Sequence, residues 1–173
     1  MTDPHADLVR QARAGSDAAG ATLFDLAWPD ALRMARGVLG FTAFAEDVAQ
    51  DAIISAFAQL PRFDGRRPFL VWLRRIVLNR ARNSLRDNRR LVGLDPDTVA
   101  PPVDPPSGSG ALWRAVAGLP PERREVVALR FALGLSLQEI AEVMEVPLGT
   151  AKSRLSRAMT DLRGALEGVP HEH

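Results

Sequence analysis

The 173-residue sequence predicts an all-α protein made of two small helical domains. Apolar residues recur at helical spacing along most of the chain. The alternating β-branched residues and hairpin turn pairs that are typical of strands are missing. One stretch rich in proline and glycine interrupts the helical pattern and divides the chain. A hydrophobic fraction of 46% and a charged fraction of 25% are normal for a globular protein.

The interrupting stretch covers residues 91–110 and contains five prolines and three glycines. Proline lacks a backbone N–H and clashes with the preceding turn, so this stretch cannot form a helix interior or a central strand. We therefore expect a flexible linker over 91–110. It joins an N-terminal domain of residues 1–90 to a C-terminal domain of residues 111–173.

Helix-forming composition and 3.6-residue apolar spacing predict helices near residues 5–14, 17–27, 29–40, 43–60, 68–88, 111–118, 121–133, 137–144 and 147–166. Pro68 and Pro147 suit first helical positions, where the missing N–H is not needed. Ser136 followed by Glu139 forms a capping box, and Gly134 suits the C′ position of the preceding helix.

Composition also excludes several classes of function. The chain has no cysteine, which excludes a disulfide framework, thiol catalysis and Cys-ligated metal sites. We predict no enzymatic activity, cofactor or metal, because no phosphate-binding glycine loop, ligand cluster or activated nucleophile is present. No apolar run approaches the roughly 18 residues of a membrane span, and the first residues lack signal-peptide features. We expect a cytoplasmic protein without membrane insertion.

The net charge of +1 conceals an uneven distribution of charge. Residues 62–90 carry ten arginines and two acidic residues. Residues 1–61 carry four arginines and eight acidic residues, and residues 91–113 carry three aspartates and no basic residue. A dense positive segment beside acidic neighbours favours a polyanion such as nucleic acid as partner, although a solvated arginine-rich helix is the alternative.

The C-terminal domain has the pattern of a helix–turn–helix. A capped helix, a tight connection around Glu145 and a longer helix from Pro147 follow one another, with Ala141 where two helices cross closely. Glu145 occupies the turn position that is usually glycine, the residue that tolerates positive φ. The outer side of the second helix is small, basic and rich in hydrogen-bonding groups, which is typical of a face that enters a DNA major groove. A helical hairpin with an ordinary polar surface is the alternative.

Two further candidate surfaces lie in the N-terminal domain. On the helix 45–60, Ile54 projects among carboxylates and an amide, a composition that resembles an interaction hot spot with a polar rim. From the residues alone, a solvated acidic face is the favoured interpretation. The basic loop 61–68 and the aromatics Phe69 and Trp72 suit single-stranded nucleic acid, whose bases stack and whose phosphates need neutralisation. Core packing is the alternative for each aromatic.

Together these segments closely resemble bacterial sigma factors of the extracytoplasmic-function (ECF) type. The matching pieces are Ala45–Asp51, Arg62–Gly65, Pro68–Asn79, Leu119–Glu125, Gly134–Ala141 and Gly149–Leu155. Their order and spacing agree with the family over residues 21–90 and 111–163. Ala151 stands where a β-branched residue is usual, and Asn83 stands where an acidic residue is common.

The resemblance implies a division of labour among these surfaces. The residues implied in binding core RNA polymerase are Glu46, Asp47, Gln50, Asp51 and Ile54. Those implied in binding the minus-ten promoter element as a melted strand, with one base held in a pocket, are Arg62, Phe63, Asp64, Arg66, Arg67, Trp72, Asn79, Arg82, Asn83 and Arg86. Those implied in binding the minus-thirty-five element in duplex DNA are Thr150, Lys152, Ser153, Arg154, Ser156 and Arg157.

The resemblance also implies an anti-sigma factor as partner. An alternative function is a helix–turn–helix regulator that binds duplex DNA without polymerase, but such a regulator needs no second basic domain at 62–90. The sequence leaves open the promoter sequence, the inducing signal, the identity of the anti-sigma partner and the roles of residues 1–20 and of the C-terminal tail.

Overall fold

A computed structural model of the chain describes residues 3–40, 43–92 and 110–167. These residues form helices and no strand, which confirms the all-α prediction. The α-helices are α1 (Ala6–Arg13), α2 (Asp17–Leu39), α3 (Ala43–Gln59), α4 (Phe69–Val92), α5 (Gly110–Ala117), α6 (Pro121–Val127), α7 (Leu137–Met144) and α8 (Leu148–Glu167). None of the helices described is long and apolar enough to cross a membrane.

Helix α2 continues through Pro29, where the sequence predicts two separate helices over 17–27 and 29–40. Its buried side is continuous, because Leu23 and Met34 lie in the same core on either side of the proline. Pro29 itself lies on the exposed side. A proline inside a helix costs about 3 kcal/mol, and burial of this long apolar face outweighs that cost.

Helices α1 to α4 form the N-terminal bundle. Helix α2 packs along α3 and α4, and α1 crosses α2 with Val9 buried. A buried ion pair joins α2 to α4, since the Arg74 guanidinium donates two hydrogen bonds of 2.8 Å to the Asp30 carboxylate. Removing one member of such a pair leaves an uncompensated buried charge, so this contact fixes how α4 sits on α2.

The C-terminal helices confirm the helix–turn–helix prediction. The Ser136–Glu139 capping box is formed at the start of α7. Glu145 ends that helix in the left-handed conformation, with φ 57 and ψ 43. Helix α6 continues as a π-helical turn over Ala128–Ala132, and Gly134 then reverses the chain with φ +68. Its positive φ matches the C′ role expected of that glycine.

The two halves of the chain pack against each other. Helix α2 contacts α6 and the π-helical turn, and α4 contacts α7. Gly37 allows a close approach, because a Cβ atom at this position would lie 2.9 Å from the Cβ of Ala128. The ion pairs Arg82–Glu125 and Arg75–Glu145 also cross the boundary. We call this packing of the two halves the closed arrangement. Residues 93–109 of the predicted linker lie outside the described residues.

Candidate nucleic-acid and protein interfaces

Helix α3 presents an acidic face around one exposed apolar side chain. Ile54 is 60% exposed. The carboxyl and amide residues one and two turns before it are also exposed, at Glu46, Asp47, Gln50 and Asp51. Arg36 of α2 donates a 2.6 Å hydrogen bond to the Glu46 carboxylate. The face therefore combines a free apolar anchor with a polar rim, one member of which is oriented by a neighbouring helix.

The connection between α3 and α4, residues 61–68, is a structured loop that we call the arginine loop. It begins in a short 3₁₀ turn at Leu60–Arg62, where the Phe63 N–H donates to the Leu60 carbonyl. The Asp64 carboxylate accepts a 3.0 Å hydrogen bond from the Arg66 N–H. Gly65 between them has φ +69, a conformation that few other residues adopt without strain. The loop is thus shaped by its own side chains.

The arginine loop and the start of α4 enclose a cavity of about 440 Å³. Its lining residues are Gln59, Arg62, Phe63, Asp64, Arg66, Arg67 and Trp72. Arginines form the outer wall, and Trp72 supplies a half-buried aromatic surface. A positively charged rim over an aromatic surface suits an unpaired base and its phosphates, and the volume falls within the range of small-ligand sites.

Phe63 lies beneath this cavity and not at its mouth. It is 5% exposed, and its ring centroid lies 4.9 Å from that of Trp72. Phe69, which is fully buried, packs edge-on against it at 6.3 Å. Phe63 is also one of the lining residues of the cavity, and its expected contact with DNA stays a prediction. It supports Trp72, and core packing accounts for Phe69.

Along α4, the polar side chains expected to hold DNA fall into two groups. Asn79, Asn83 and Arg86 are exposed, and Arg86 donates a 3.2 Å hydrogen bond to the Asn83 side chain. Arg82 instead donates two hydrogen bonds, of 2.8 and 2.7 Å, to the carboxylate of Glu125. This bidentate contact raises the pKa of Arg82 above its ordinary value. In the closed arrangement Arg82 faces the C-terminal half.

Helix α8 shows the two faces that the sequence predicts. Its apolar stripe is buried at Ala151, Ala158 and Leu162. The polar residues expected to contact duplex DNA are exposed at Lys152, Ser153, Ser156 and Arg157, and half-buried at Thr150 and Arg154. Arg154 lines a cavity of about 340 Å³ together with Arg82 and Arg86 of α4. Residues expected to bind two different DNA elements therefore share one cleft.

Several contributors to these surfaces are missed by sequence reasoning. Glu125 and Glu145 engage arginines of α4, but nothing local in the sequence links residues so far apart. Asp3 accepts a 2.8 Å hydrogen bond from the Phe69 N–H at the start of α4. One local signal was available: Pro68 has no side-chain acceptor, so α4 needs a cap from elsewhere.

Comparisons with known proteins match each half of the chain to a Sigma-70 family. The Sigma-70 region 2 family matches residues 23–91, and the Sigma-70 region 4 family matches residues 109–162. The ECF RNA polymerase sigma factor SigW of Bacillus subtilis (strain 168) is 30% identical over 179 aligned positions, which cover 93% of this chain and 96% of SigW. The ECF RNA polymerase sigma-E factor of Escherichia coli (strain K12) is 34% identical over 132 positions, covering 65% of this chain and 68% of its own length.

Two solved structures are similar over most of the chain. The sigma factor RpoE in complex with the anti-sigma factor NepR from Bartonella quintana aligns with a TM-score of 0.72 at 26% identity. That alignment covers 86% of this chain and 96% of RpoE. CnrH in complex with the cytosolic domain of CnrY aligns with a TM-score of 0.70 at 26% identity, covering 92% and 95%.

Both halves of the sequence and the fold that they form agree with one family, and that family works by binding and not by catalysis. The chain belongs to the ECF family of RNA polymerase sigma factors, which direct promoter-specific transcription initiation.

Proposed function

We propose that three surfaces of this sigma factor divide the work of initiation. The acidic face of α3 binds core RNA polymerase, the cavity under the arginine loop captures the minus-ten element as a single strand, and the outer face of α8 recognises the minus-thirty-five element. The observation that carries the proposal is the 440 Å³ cavity, because arginines and Trp72 surround a space that duplex DNA cannot enter.

Binding of core polymerase is assigned to α3 because of Ile54. This large apolar side chain is 60% exposed, and the surrounding carboxylates supply a polar rim. Interfaces obtain most of their affinity from a few such anchors. The acidic residues favour a basic partner surface and orient the two proteins before contact.

Capture of the minus-ten strand explains how binding opens DNA without catalysis. Extruding a base from the duplex costs a few kcal/mol, and stacking on an aromatic residue with phosphate contacts offsets that cost. Arg62, Arg66 and Arg67 are exposed around the cavity mouth, where phosphates would lie. A protein that prefers the open strand shifts the equilibrium between duplex and melted DNA towards the melted form.

Recognition of the minus-thirty-five element is assigned to the outer face of α8. Arg157 is exposed in the middle of this face, and arginine can donate two hydrogen bonds to one guanine. Lys152 and the serines beside it suit phosphate contacts that orient the helix on the duplex.

The closed arrangement has to open before both elements can be bound. Their names place them about 25 base pairs apart, which is roughly 85 Å of duplex at 3.4 Å per base pair. A compact chain of this length has a radius of gyration of about 16 Å. We infer that the two halves separate on the promoter and that Arg82 then exchanges Glu125 for DNA. Residues 93–109, fully extended, can span about 60 Å.

An anti-sigma factor is the partner that we propose for the closed arrangement. RpoE and NepR were solved as a complex of a sigma factor with its anti-sigma factor. In this chain an apolar cavity of about 380 Å³ lies where Gly37 of α2 meets α5, the π-helical turn and α8. Phe131 is 62% exposed at this cavity, and Leu112 and Met159 are exposed beside it. Such a surface suits the apolar side of an amphipathic helix. We place the protein in the cytoplasm, where its proposed DNA and polymerase partners are found.

A transcription assay tests the proposed function directly. Purified chain, bacterial core polymerase and a pool of promoter fragments should give RNA from fragments that share a pair of motifs, and only when the chain is present. Absence of chain-dependent RNA, combined with tight binding of duplex DNA without polymerase, would favour the stand-alone regulator instead.

Substitution of Ile54→Asp tests the docking face. We expect affinity for core polymerase to fall by at least about 2 kcal/mol, or roughly thirtyfold, because the apolar anchor is replaced by a charge. Ala21→Asp is the matched control, since it adds the same charge at an exposed position of α2. Equal affinity of the Ile54→Asp variant and the wild type, measured by fluorescence titration of core enzyme, would contradict the assignment.

A further inference from the structure

The first residues of the chain lie against both ends of the arginine loop. The Asp3 carboxylate accepts a 2.8 Å hydrogen bond from the N–H of Phe69, which follows the loop. Arg13 donates a 3.0 Å hydrogen bond to the carbonyl of Pro61, the first residue of the loop. These contacts span 66 and 48 positions of sequence. The match to the Sigma-70 region 2 family begins only at residue 23, so that family assigns no role to this segment.

Asp3 supplies a cap that α4 lacks. Pro68 directly precedes this helix and has no side-chain oxygen with which to accept the first backbone N–H groups. The carboxylate of Asp3 takes that place and adds a negative charge at the positive end of the helix dipole. Its other oxygen accepts a 2.9 Å hydrogen bond from the His5 N–H at the start of α1. One side chain therefore connects the beginnings of α1 and α4.

Arg13 acts at the opposite end of the loop. It lies in the last turn of α1, and its acceptor belongs to the 3₁₀ turn at Leu60–Arg62. Helix α1 is anchored to the bundle by buried Val9 and by its packing on α2. One end of the arginine loop is thus tied to α1 and the other to the segment just before that helix, and the core sets the position of α1.

We propose that Asp3 and Arg13 are positioning residues for the minus-ten strand. They hold the two ends of the arginine loop, and with it the cavity that Trp72 shares, in the shape that receives an unpaired base. Ordering this loop before DNA arrives removes a cost that binding would otherwise carry. The inference rests on the proposed function of the cavity and adds to it the N-terminal segment as the device that shapes it.

The test uses full-length chain assembled with core polymerase and the promoter selected in the transcription assay. One probe is a single-stranded oligonucleotide carrying the minus-ten sequence, and the other is a duplex carrying only the minus-thirty-five sequence. We expect Asp3→Ala and Arg13→Ala each to weaken binding of the single strand roughly tenfold, which corresponds to about 1.4 kcal/mol. Binding of the duplex should stay within about twofold of wild type, on the same scale.

Conservative variants and a matched pair of controls separate positioning from general stability. Asp3→Asn keeps an acceptor without the charge, so its affinity for the single strand should lie between those of wild type and Asp3→Ala. Arg13→Lys keeps a donor and should recover most of the affinity that Arg13→Ala loses. Asp7→Ala and Arg10→Ala remove an exposed ion pair from the same helix α1 and should leave both probes unaffected. Thermal melts by circular dichroism identify any variant that is not folded at the assay temperature.

Two results would overturn the positioning role. One is single-strand affinity of Asp3→Ala and Arg13→Ala within twofold of wild type. The other is an equal loss on both probes, which would reflect only a smaller folded fraction. A wild-type chain that selects no promoter would overturn the proposed function together with this inference, whereas a selected promoter with unaffected variants would overturn the inference alone.

Discussion

The two surfaces that we assign to promoter DNA are built in opposite ways. The outer face of α8 is convex, and a window of eight residues, 150–157, supplies it. The cavity under the arginine loop is concave, and its walls and supports come from residues as far apart as Asp3 and Trp72. Each shape fits its proposed target, since a helix enters a duplex groove whereas an unpaired base has to be enclosed.

This difference in construction determines which substitutions disrupt each surface. A helix face survives changes elsewhere as long as its helix is intact, because periodicity alone places its side chains. A cavity depends on how several segments pack, so a substitution that touches no DNA can change it. We expect the largest effect from the buried pair that fixes α4, the helix that carries Trp72.

Breaking the buried pair between α2 and α4 should have the largest effect. We expect Asp30→Ala to lower the free energy of unfolding by about 3–5 kcal/mol, because the Arg74 guanidinium is left buried and unpaired. Urea unfolding measures this loss. Asp25→Ala, at an exposed position of α2, is the control and should change little. A double variant, Asp30→Leu with Arg74→Met, should recover most of the stability, and no recovery would argue against an unpaired charge as the cause.

Two substitutions, one on each proposed DNA surface, should each weaken binding of only one of the two probes. We expect Trp72→Ala to weaken binding of the minus-ten single strand by about 1–3 kcal/mol and to leave the minus-thirty-five duplex unaffected. Arg157→Ala should weaken binding of the minus-thirty-five duplex by about 1–3 kcal/mol and leave binding of the single strand unaffected. Trp28→Ala and Arg163→Ala are the controls, because they remove a half-buried tryptophan of α2 and an exposed arginine late in α8.

Fluorescence anisotropy with the two probes measures both affinities on the same holoenzyme. Parallel losses on both probes for either variant would show that the surfaces are not separate. Unchanged promoter affinity and sequence preference in Arg157→Ala would reject a base-contacting role for this residue.

Removing the charge of the capping carboxylate of Glu139 should destabilise the helix–turn–helix. Glu139 accepts a 2.9 Å hydrogen bond from the Ser136 N–H in the capping box, and this bond lowers the pKa of the Glu139 carboxyl. Because the folded-state pKa is below the unfolded value of about 4.3, the ionised form stabilises the fold above that pH. The contribution is lost as the pH falls through the folded-state pKa.

Glu139→Gln keeps an acceptor for the Ser136 N–H and loses only the charge, so it should lower the free energy of unfolding by less than about 1 kcal/mol at pH 7. The difference from wild type should shrink as the pH falls below about 4. Urea unfolding over this pH range measures it, with the exposed Glu142→Gln of the same helix as control. A difference that stays constant with pH would show that the carboxylate charge has no part in the cap.

The smallest effect is expected at the contact between the halves. Glu125→Gln should free Arg82, whose side chain is already 35% exposed, and raise the affinity of the free chain for promoter DNA by less than about 1 kcal/mol. One added phosphate contact should steepen the salt dependence of binding by about 0.9 in log–log slope. Glu122→Gln removes the same charge from an exposed position of α6. An equal effect of both variants would point to net charge and not to release of Arg82.

Local signals in the sequence predicted much of this molecule. The Ser136–Glu139 box, the chain reversal at Gly134, the exposed polar side of α8 and the projection of Ile54 all follow from neighbours within a few residues. The same reasoning missed the continuity of α2 through Pro29 and the burial of Phe63. Both depend on which other helices lie alongside, which no local pattern records.

The sequence by itself determined most of the helices, the capped turn at Ser136 and the charge pattern of the surfaces that we propose for DNA and polymerase. It could do so because periodicity, capping and composition act over one or two helical turns. Only the tertiary structure decided that Asp3 caps α4, that Glu125 holds Arg82 and that Gly37 lies against Ala128. These contacts join residues 43 to 91 positions apart, and they form because burying apolar faces brings the helices together before any single polar pair is chosen.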